Sequence, residues 1–206
     1  MTIAALRMTF GNRQRNTLFM KYSHLIISGI PKSFELWESV DSLQPIYEGM
    51  NPDDIQYDAY PAECDEEKGE DACVLFKYNE SATGVYVVHT PYLQTLSLDL
   101  SPWAVEADVL LYASYISGIL KRHKRAQLYD KSAPIEGLSD EQVQEMIAER
   151  KAYLKRLLAK EKGFTMCGVN AGFTLAVEHL SPAISLDMQA HELQQSFVRM
   201  QWEIEE

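Results

Sequence analysis

Three histidines are the residues of this sequence best suited to bind a metal ion. His24, His89 and His179 each lie in a segment that is rich in apolar residues and predicts a β-strand. By strand parity each shares a face with apolar neighbours, so all three imidazoles are expected to point to the core or to its rim. Imidazoles that converge on one sheet could hold zinc or iron. This predicts, as one alternative, a small-ligand or metal-binding enzyme with a histidine-lined site on the sheet.

Other catalytic and cofactor motifs are incomplete. The three histidines show no local ligand spacing, which favours three unrelated imidazoles over a metal centre. His191 and Glu192 begin the helical zinc-protease pattern, but Gln195 occupies the position of the second imidazole. Gly163 and Gly168 have the spacing of a phosphate-binding loop, but the required Lys and Ser or Thr do not follow them. The sequence therefore predicts no cofactor, and it favours a protein that is not an enzyme.

An acidic segment carries most of the excess negative charge. Between Glu35 and Cys73, thirteen Asp and Glu residues accompany a single basic residue, Lys68, in a chain of net charge −11. Aromatic residues are interleaved with these acids, and aromatic anchors among carboxylates are typical of a surface that binds a basic protein. The candidate partner-binding residues are Trp37, Tyr47, Asp53, Asp54, Tyr57, Asp58 and Tyr60.

Two interpretations of this acidic segment compete. The functional one is a non-enzymatic protein-binding or inhibitory module that uses an acidic, aromatic-containing surface to bind a basic partner. It predicts a salt-sensitive complex that is weakened when Asp53, Asp54 and Asp58 are neutralised. The structural one places the aromatic side chains in the core, while the acids face water or neutralise basic helices of the same chain. This second arrangement is the more common one in proteins.

Charge and composition argue against several other kinds of partner. Nucleic acid is not expected, because net charge −11 repels a polyanion and the basic run 121–125 is explained as the cationic end of a helix. No membrane association is expected, because the longest apolar run, 109–120, is shorter than the roughly 20 residues that span a bilayer. The first ten residues lack the apolar run of a secretory signal, and three cysteines suit a reducing compartment. A soluble cytoplasmic protein is predicted, and its oligomeric state does not follow from the sequence.

The strands that must position these residues are predicted to form antiparallel hairpins. Strand patterns do not alternate with helical ones, so we expect a single α+β domain over 1–206. It should contain a mainly antiparallel sheet built from hairpins, with about three helices packed on one face. The acidic segment 35–73 is expected as an irregular insertion between strands. The predicted strands are 2–10, 17–30, 34–40, 55–60, 72–78, 84–90, 96–100, 164–169 and 173–180.

Three helices are predicted from capping residues and apolar periodicity. Ser101 and Pro102 have the pattern of an N-cap and a first helical residue, so the first helix is expected to start there and to end in the basic run 121–125. Ser139 and Gln142 have the spacing of a capping box that starts the second helix, and Gly163 is expected to stop it. Apolar steps of three and four predict the third helix over 187–203.

Overall fold

Strands and helices form the α+β arrangement expected from the sequence. The computed structural model describes residues 20–42, 57–159, 164–169, 172–175 and 186–202. The helices among them are α1 (Leu36–Ser42), α2 (Glu106–Arg122), α3 (Asp140–Leu158) and α4 (Leu186–Trp202). The strands are β1 (His24–Ser28), β2 (Tyr57–Pro61), β3 (Asp71–Lys77), β4 (Val85–Thr90), β5 (Thr95–Leu100), β6 (Gln127–Asp130), β7 (Ala133–Ile135), β8 (Phe164–Cys167) and β9 (Gly172–Leu175).

Seven of these strands form one antiparallel sheet in the order β2–β3–β4–β5–β1–β6–β7. β2 to β5 follow one another as a meander, because antiparallel neighbours can be joined by short connections. β1 lies between β5 and β6, so it is a central strand whose described partners come from later in the chain. β8 and β9 pair with each other in a separate two-stranded sheet.

One face of the seven-stranded sheet carries the core. Leu25 and Ile27 of β1 pair with Leu98 and Leu96 of β5, and all four side chains are fully buried. The intervening residues point to the opposite face, as the alternation of a strand requires. α1, α2 and α3 supply the other half of this core. α4 packs against α3, with Phe197 in a second apolar cluster.

Most predicted strands in the described residues are confirmed, one predicted strand is wrong, and two short strands were not predicted. The strand patterns at 72–78, 84–90 and 96–100 match β3, β4 and β5, and the pattern at 55–60 matches β2. Residues 34–40 are not a strand, because α1 begins there and buries Leu36 and Val40 in the core. No sequence pattern predicts β6 and β7, because these two strands have four and three residues and β7 contains a proline.

Several predicted segments lie partly or wholly outside the described residues. Residues 2–10 lie outside the described residues, as do 17–19. The hairpin predicted from 164 onward is confirmed by the antiparallel pairing of β8 with β9. The acidic segment 35–73 is more regular than predicted, since it contains α1, β2, a short 3₁₀ helix at Glu66–Lys68 and the start of β3. Residues 43–56 of that segment lie outside the described residues.

α2 begins later than predicted. Ser101 does not cap this helix, because its hydroxyl accepts the N–H of Trp103 in a separate turn. The start of the helix is organised by Asp108, whose buried carboxylate accepts the N–H of Val105 at 3.1 Å. The same carboxylate accepts N–H groups from the turn 82–84, so it ties the β3–β4 hairpin to the helix. The predicted basic end of the helix is confirmed, since its last turn is basic.

The capping box predicted for α3 is confirmed. Ser139 Oγ accepts the N–H of Gln142 at 3.2 Å, and the Gln142 side-chain oxygen accepts the N–H of Ser139 at 2.8 Å. The helix ends at Leu158, before the predicted stop at Gly163, which lies outside the described residues. α4 confirms the predicted last helix. No helix in the described part of the chain is long and apolar enough to cross a bilayer.

Candidate functional site

The structure separates two of the three histidines that were candidates for a metal site. His24 lies on the outer face of β1, where its Nδ1 is 3.1 Å from Asp99 Oδ1. His89 lies on the core face of β4 and is only 1% exposed. Because the two imidazoles point to opposite faces of the sheet, the prediction that each points to the core or to its rim is wrong for His24, and the two do not share one metal ion. His179 lies outside the described residues, among which no group of three or more His, Cys, Asp or Glu could hold a metal ion.

The predicted acidic and aromatic residues have different surroundings. Trp37, near the start of α1, is 43% exposed. Asp58 accepts a hydrogen bond from the Tyr78 hydroxyl at 2.6 Å, and the ring of Tyr60 packs on that of Phe76 at 5.9 Å between centroids. The structural interpretation therefore suits Tyr60, whereas Trp37 presents apolar area to solvent. The backbone of Tyr57 lies in β2, and Tyr47, Asp53 and Asp54 lie outside the described residues.

A cleft of about 240 Å³ lies between the loop after β1, the start of α1 and the end of α2. Gly29 lets the chain enter this loop, because its φ is +78° and a Cβ there would lie 2.6 Å from the carbonyl oxygen of Arg125. Ser39 ties α1 to α2, since its Oγ is 2.7 Å from the Tyr115 hydroxyl. The lining residues are Pro31, Ser33, Phe34, Glu35, Glu38, Ser39, Ile119, Arg122 and His123.

The cleft carries both signs of charge, with an excess of acid. Glu38 lines the cleft from α1, and Glu35 lines it from the position just before α1; both side chains are exposed. Arg122 and His123 line it from the end of α2. Burial and the neighbouring charge of Arg122 lower the pKa of His123, which favours its neutral form. Two carboxylates therefore face one guanidinium, which favours a cationic group over an anionic one.

Phe34 lines the cleft and packs between two imidazoles. Its ring centroid lies 5.1 Å from that of His89 and 5.6 Å from that of His123, and both contacts are edge-on. Neither ring nitrogen of His89 has a hydrogen-bond partner in the described part of the chain. Burial lowers the pKa of His89, and the charge of Asp71 opposes this effect. A buried imidazole without a partner is unusual in a folded protein and calls for an explanation.

The residues that build this cleft carry little signal in the sequence. Phe34 has the pattern of a strand residue, and His123 reads as one member of a basic helix end. The only usable sequence signal for the cleft is the loop 29–31, where glycine and proline predict a break after a strand.

Tyr92 and Leu93, in the β4–β5 turn, lie outside the cleft. They are the most exposed large apolar residues of the described chain, and no sequence motif marks them.

No family model matches the chain, and no curated protein and no solved structure matches it. The function must therefore be inferred from the exposed side chains, the cleft and the distribution of charge.

Proposed function

We propose that this protein is a non-enzymatic binding or inhibitory module whose acidic surface around α1 binds a basic segment of another protein. The observation that carries the proposal is the exposure of Trp37, whose side chain is 43% exposed. The exposed acid Glu35 lies two positions before it, and the exposed acid Glu38 follows it directly. An exposed tryptophan offers a large apolar contact area, and tryptophan is enriched at the centres of protein interfaces. Glu35 and Glu38 also line the cleft, so two carboxylates close to Trp37 in the sequence border a concave site.

The charge of the chain supports a cationic partner. A net charge of −11 accelerates encounters with basic proteins and repels polyanions. Lys68, the single base in the acidic segment, is paired with Asp65 at 2.5 Å, so the segment itself supplies no further base for its other acids. Surface carboxylates of this kind contribute more to association rate and specificity than to affinity.

The cleft suits one lysine or arginine side chain of such a partner. Its aliphatic part would lie against Phe34 and Ile119, while its charged end would meet Glu35 and Glu38. A cation that also contacts the face of the Phe34 ring would gain about 0.5–1 kcal/mol at an exposed site. Arg122, on the opposite wall, would repel the cation and direct it toward the carboxylates.

Peptide binding tests the aromatic part of the proposal. The probes are Lys- and Arg-rich peptides, with acidic peptides of equal length and a single-stranded oligonucleotide for comparison. We expect only the basic peptides to bind. Trp37→Ala should weaken binding at least about thirtyfold, which corresponds to the roughly 2 kcal/mol of a hot spot. The matched control is Leu110→Ala, which removes a side chain of similar exposure, 45%, from α2.

The acidic part of the proposal is tested by salt dependence. Binding should weaken between about 50 mM and about 200 mM salt, because screening shortens the range of charge interactions. Glu35→Gln combined with Glu38→Gln should lower the association rate and reduce this salt dependence. The matched control combines Glu136→Gln with Glu192→Gln, which changes the net charge equally at exposed positions outside the cleft.

Either of two outcomes would contradict the proposal. One is that the Trp37→Ala and Leu110→Ala variants bind basic peptides equally well. The other is that the two pairs of Glu substitutions change the association rate and the salt dependence equally. The double variant Asp53→Asn, Asp54→Asn tests two candidate residues that are predicted from the sequence alone. We expect this variant to bind basic peptides more weakly. Asp58 is a poorer target, because its carboxylate already accepts hydrogen bonds within the chain.

We propose that the protein is located in the cytoplasm, because both described cysteines, Cys64 and Cys73, are reduced thiols. Cys64 Sγ donates a hydrogen bond to the carbonyl oxygen of Glu70 at 3.1 Å. Burial raises the pKa of Cys73 to about 12, which keeps this thiol protonated and unreactive. Alkylation of freshly lysed cells followed by mass spectrometry should find both thiols reduced, and a disulfide at either position would contradict this placement.

A further inference from the structure

His89 has three properties that the proposed binding surface does not use. It is 1% exposed, neither of its ring nitrogens has a hydrogen-bond partner in the described chain, and its ring packs edge-on against Phe34. Burying polar atoms without partners costs free energy, and burying a charged imidazolium in the same place would cost much more. The packing around His89 is therefore compatible only with a neutral imidazole.

Among the described residues, no element packed against His89 supplies a counter-charge in hydrogen-bonding distance. On β3 the residue opposite His89 is Asp71, which is exposed, and on β5 it is the apolar Leu96. The loop before α1 contributes Phe34, and α2 contributes His123 on the other side of that ring. The charged residues that line the cleft are Glu35, Glu38 and Arg122.

Protonation of His89 therefore requires this packing to open. A proton can reach the ring nitrogens only when they contact water, and the resulting imidazolium is then stabilised by solvent and by the nearby carboxylate of Asp71. Reclosing with the charge in place would bury an unpaired cation, which is strongly unfavourable. Phe34 covers His89 and also lines the cleft, so opening at His89 displaces one wall of the cleft.

We propose that His89 is a proton-operated latch beneath the cleft. The neutral imidazole holds Phe34 in the cleft wall, and the imidazolium releases Phe34 and opens the segment 31–39, which includes the first turn of α1. His123 does not have this role, because it lines the cleft and is only partly buried, so it can be protonated without moving Phe34.

The latch predicts a definite pH dependence. An ordinary imidazole has a pKa of about 6.5, and below this value only the open form of the protein takes up the proton readily. Over that range the ratio of open to closed molecules rises as the pH falls, by at most about tenfold per pH unit. The latch is a property of the free protein, and only its effect on partner binding rests on the proposed function. For partner binding, we expect basic peptides to bind more weakly at about pH 5.5 than at about pH 7.5.

Native-state hydrogen exchange measured by NMR on the full chain tests the latch. The rates are corrected for the intrinsic pH dependence of amide exchange. The reporters are the amides of Phe34 and Ser39, which are hydrogen-bonded within the loop and α1. The references are the amides of Val143 and Ala159, which donate to backbone carbonyls at the two ends of α3. Below about pH 6.5 the opening constant of the reporters should rise as the pH falls, by at most about tenfold per pH unit, while that of the references stays constant.

Two variants assign the effect to one imidazole. His89→Leu should abolish the pH dependence of the Phe34 and Ser39 amides, whereas His123→Gln should retain it. If His89→Leu does not fold, titration of the His89 ring signals in the unmodified protein replaces it, and their shift must coincide with the change in exchange. The latch is overturned if reporter exchange is independent of pH, or if the dependence survives His89→Leu or is lost in His123→Gln. Basic peptides that never bind, together with pH-dependent opening, would refute the proposed function and leave the latch intact.

Discussion

Replacing Asp108 by alanine should destabilise the fold by about 3–5 kcal/mol, because it leaves several buried hydrogen-bond donors without an acceptor. Asp108 is completely buried at the third position of α2. Its carboxylate accepts hydrogen bonds of 3.1 to 3.3 Å from the N–H groups of Ala82, Thr83, Gly84 and Val105 and from the Thr83 hydroxyl. One side chain therefore joins the β3–β4 turn to the start of the central helix.

The magnitude follows from the donors that alanine would leave behind. Each buried donor without an acceptor costs about 1–3 kcal/mol, so complete loss without relaxation would exceed the expected range. Two effects reduce the cost, because water can enter near the turn and the carboxylate no longer has to be desolvated. Asp108→Asn can keep its carbonyl oxygen where Oδ2 accepts four of the bonds, so that only the Gly84 N–H faces the new amino group. Its expected cost is about 1–3 kcal/mol.

Glu106→Gln is the matched control. Glu106 lies in the same first turn of α2, but it is exposed, and its carboxylate is 3.4 Å from Lys151 Nζ. Its replacement removes an equal charge from the same helix end and should cost at most about 1 kcal/mol. Urea unfolding should show a lower midpoint for Asp108→Ala with an unchanged m value. Equal stabilities of Asp108→Ala and Glu106→Gln would refute the reasoning, because the helix end alone would then explain the effect.

Three further outcomes can be measured by unfolding. Ser139→Ala should lower stability by about 1 kcal/mol, because it removes the capping box of α3. Gly84→Ala should cost about 1–3 kcal/mol more than Gly69→Ala. Both glycines have a φ of +66°, but only a Cβ on Gly84 would lie 2.6 Å from the carbonyl oxygen of Leu75, so equal losses would contradict this prediction. Burial lowers the pKa of His89, so below about pH 6.5 the unfolded chain binds the proton more tightly and stability falls as pH falls. Thermal unfolding across this range should show a shallower fall for His89→Leu, and an unchanged fall would argue against this cause.

Local sequence patterns predicted the elements whose determinants are contiguous. The capping box of Ser139 and Gln142 and the alternation at 96–100 depend on residues a few positions apart, and the structure confirms both. The start of α2 was not predictable in this way. Ser101 has the type of residue that caps a helix, but the start is organised by Asp108 through bonds to a turn that is distant in sequence.

The candidate site was less predictable than the fold. An acidic segment with aromatic residues is visible in the sequence, but the exposure of Trp37 and the partial burial of Tyr60 depend on which side of each element is covered. The cleft is assembled from the loop after β1, from α1 and from the end of α2. No short pattern relates these three segments, because they meet only when the helices pack on the sheet.

By itself the sequence determined the α+β class, the order of most described elements and the concentration of acid between residues 35 and 73, since composition, periodicity and caps are local properties. Only the tertiary structure decided that His24 and His89 point to opposite faces and that Phe34 lies between His89 and His123. The physical reason is that a strand places successive side chains on alternate faces. Which face is buried is then decided by the helices that cover the sheet.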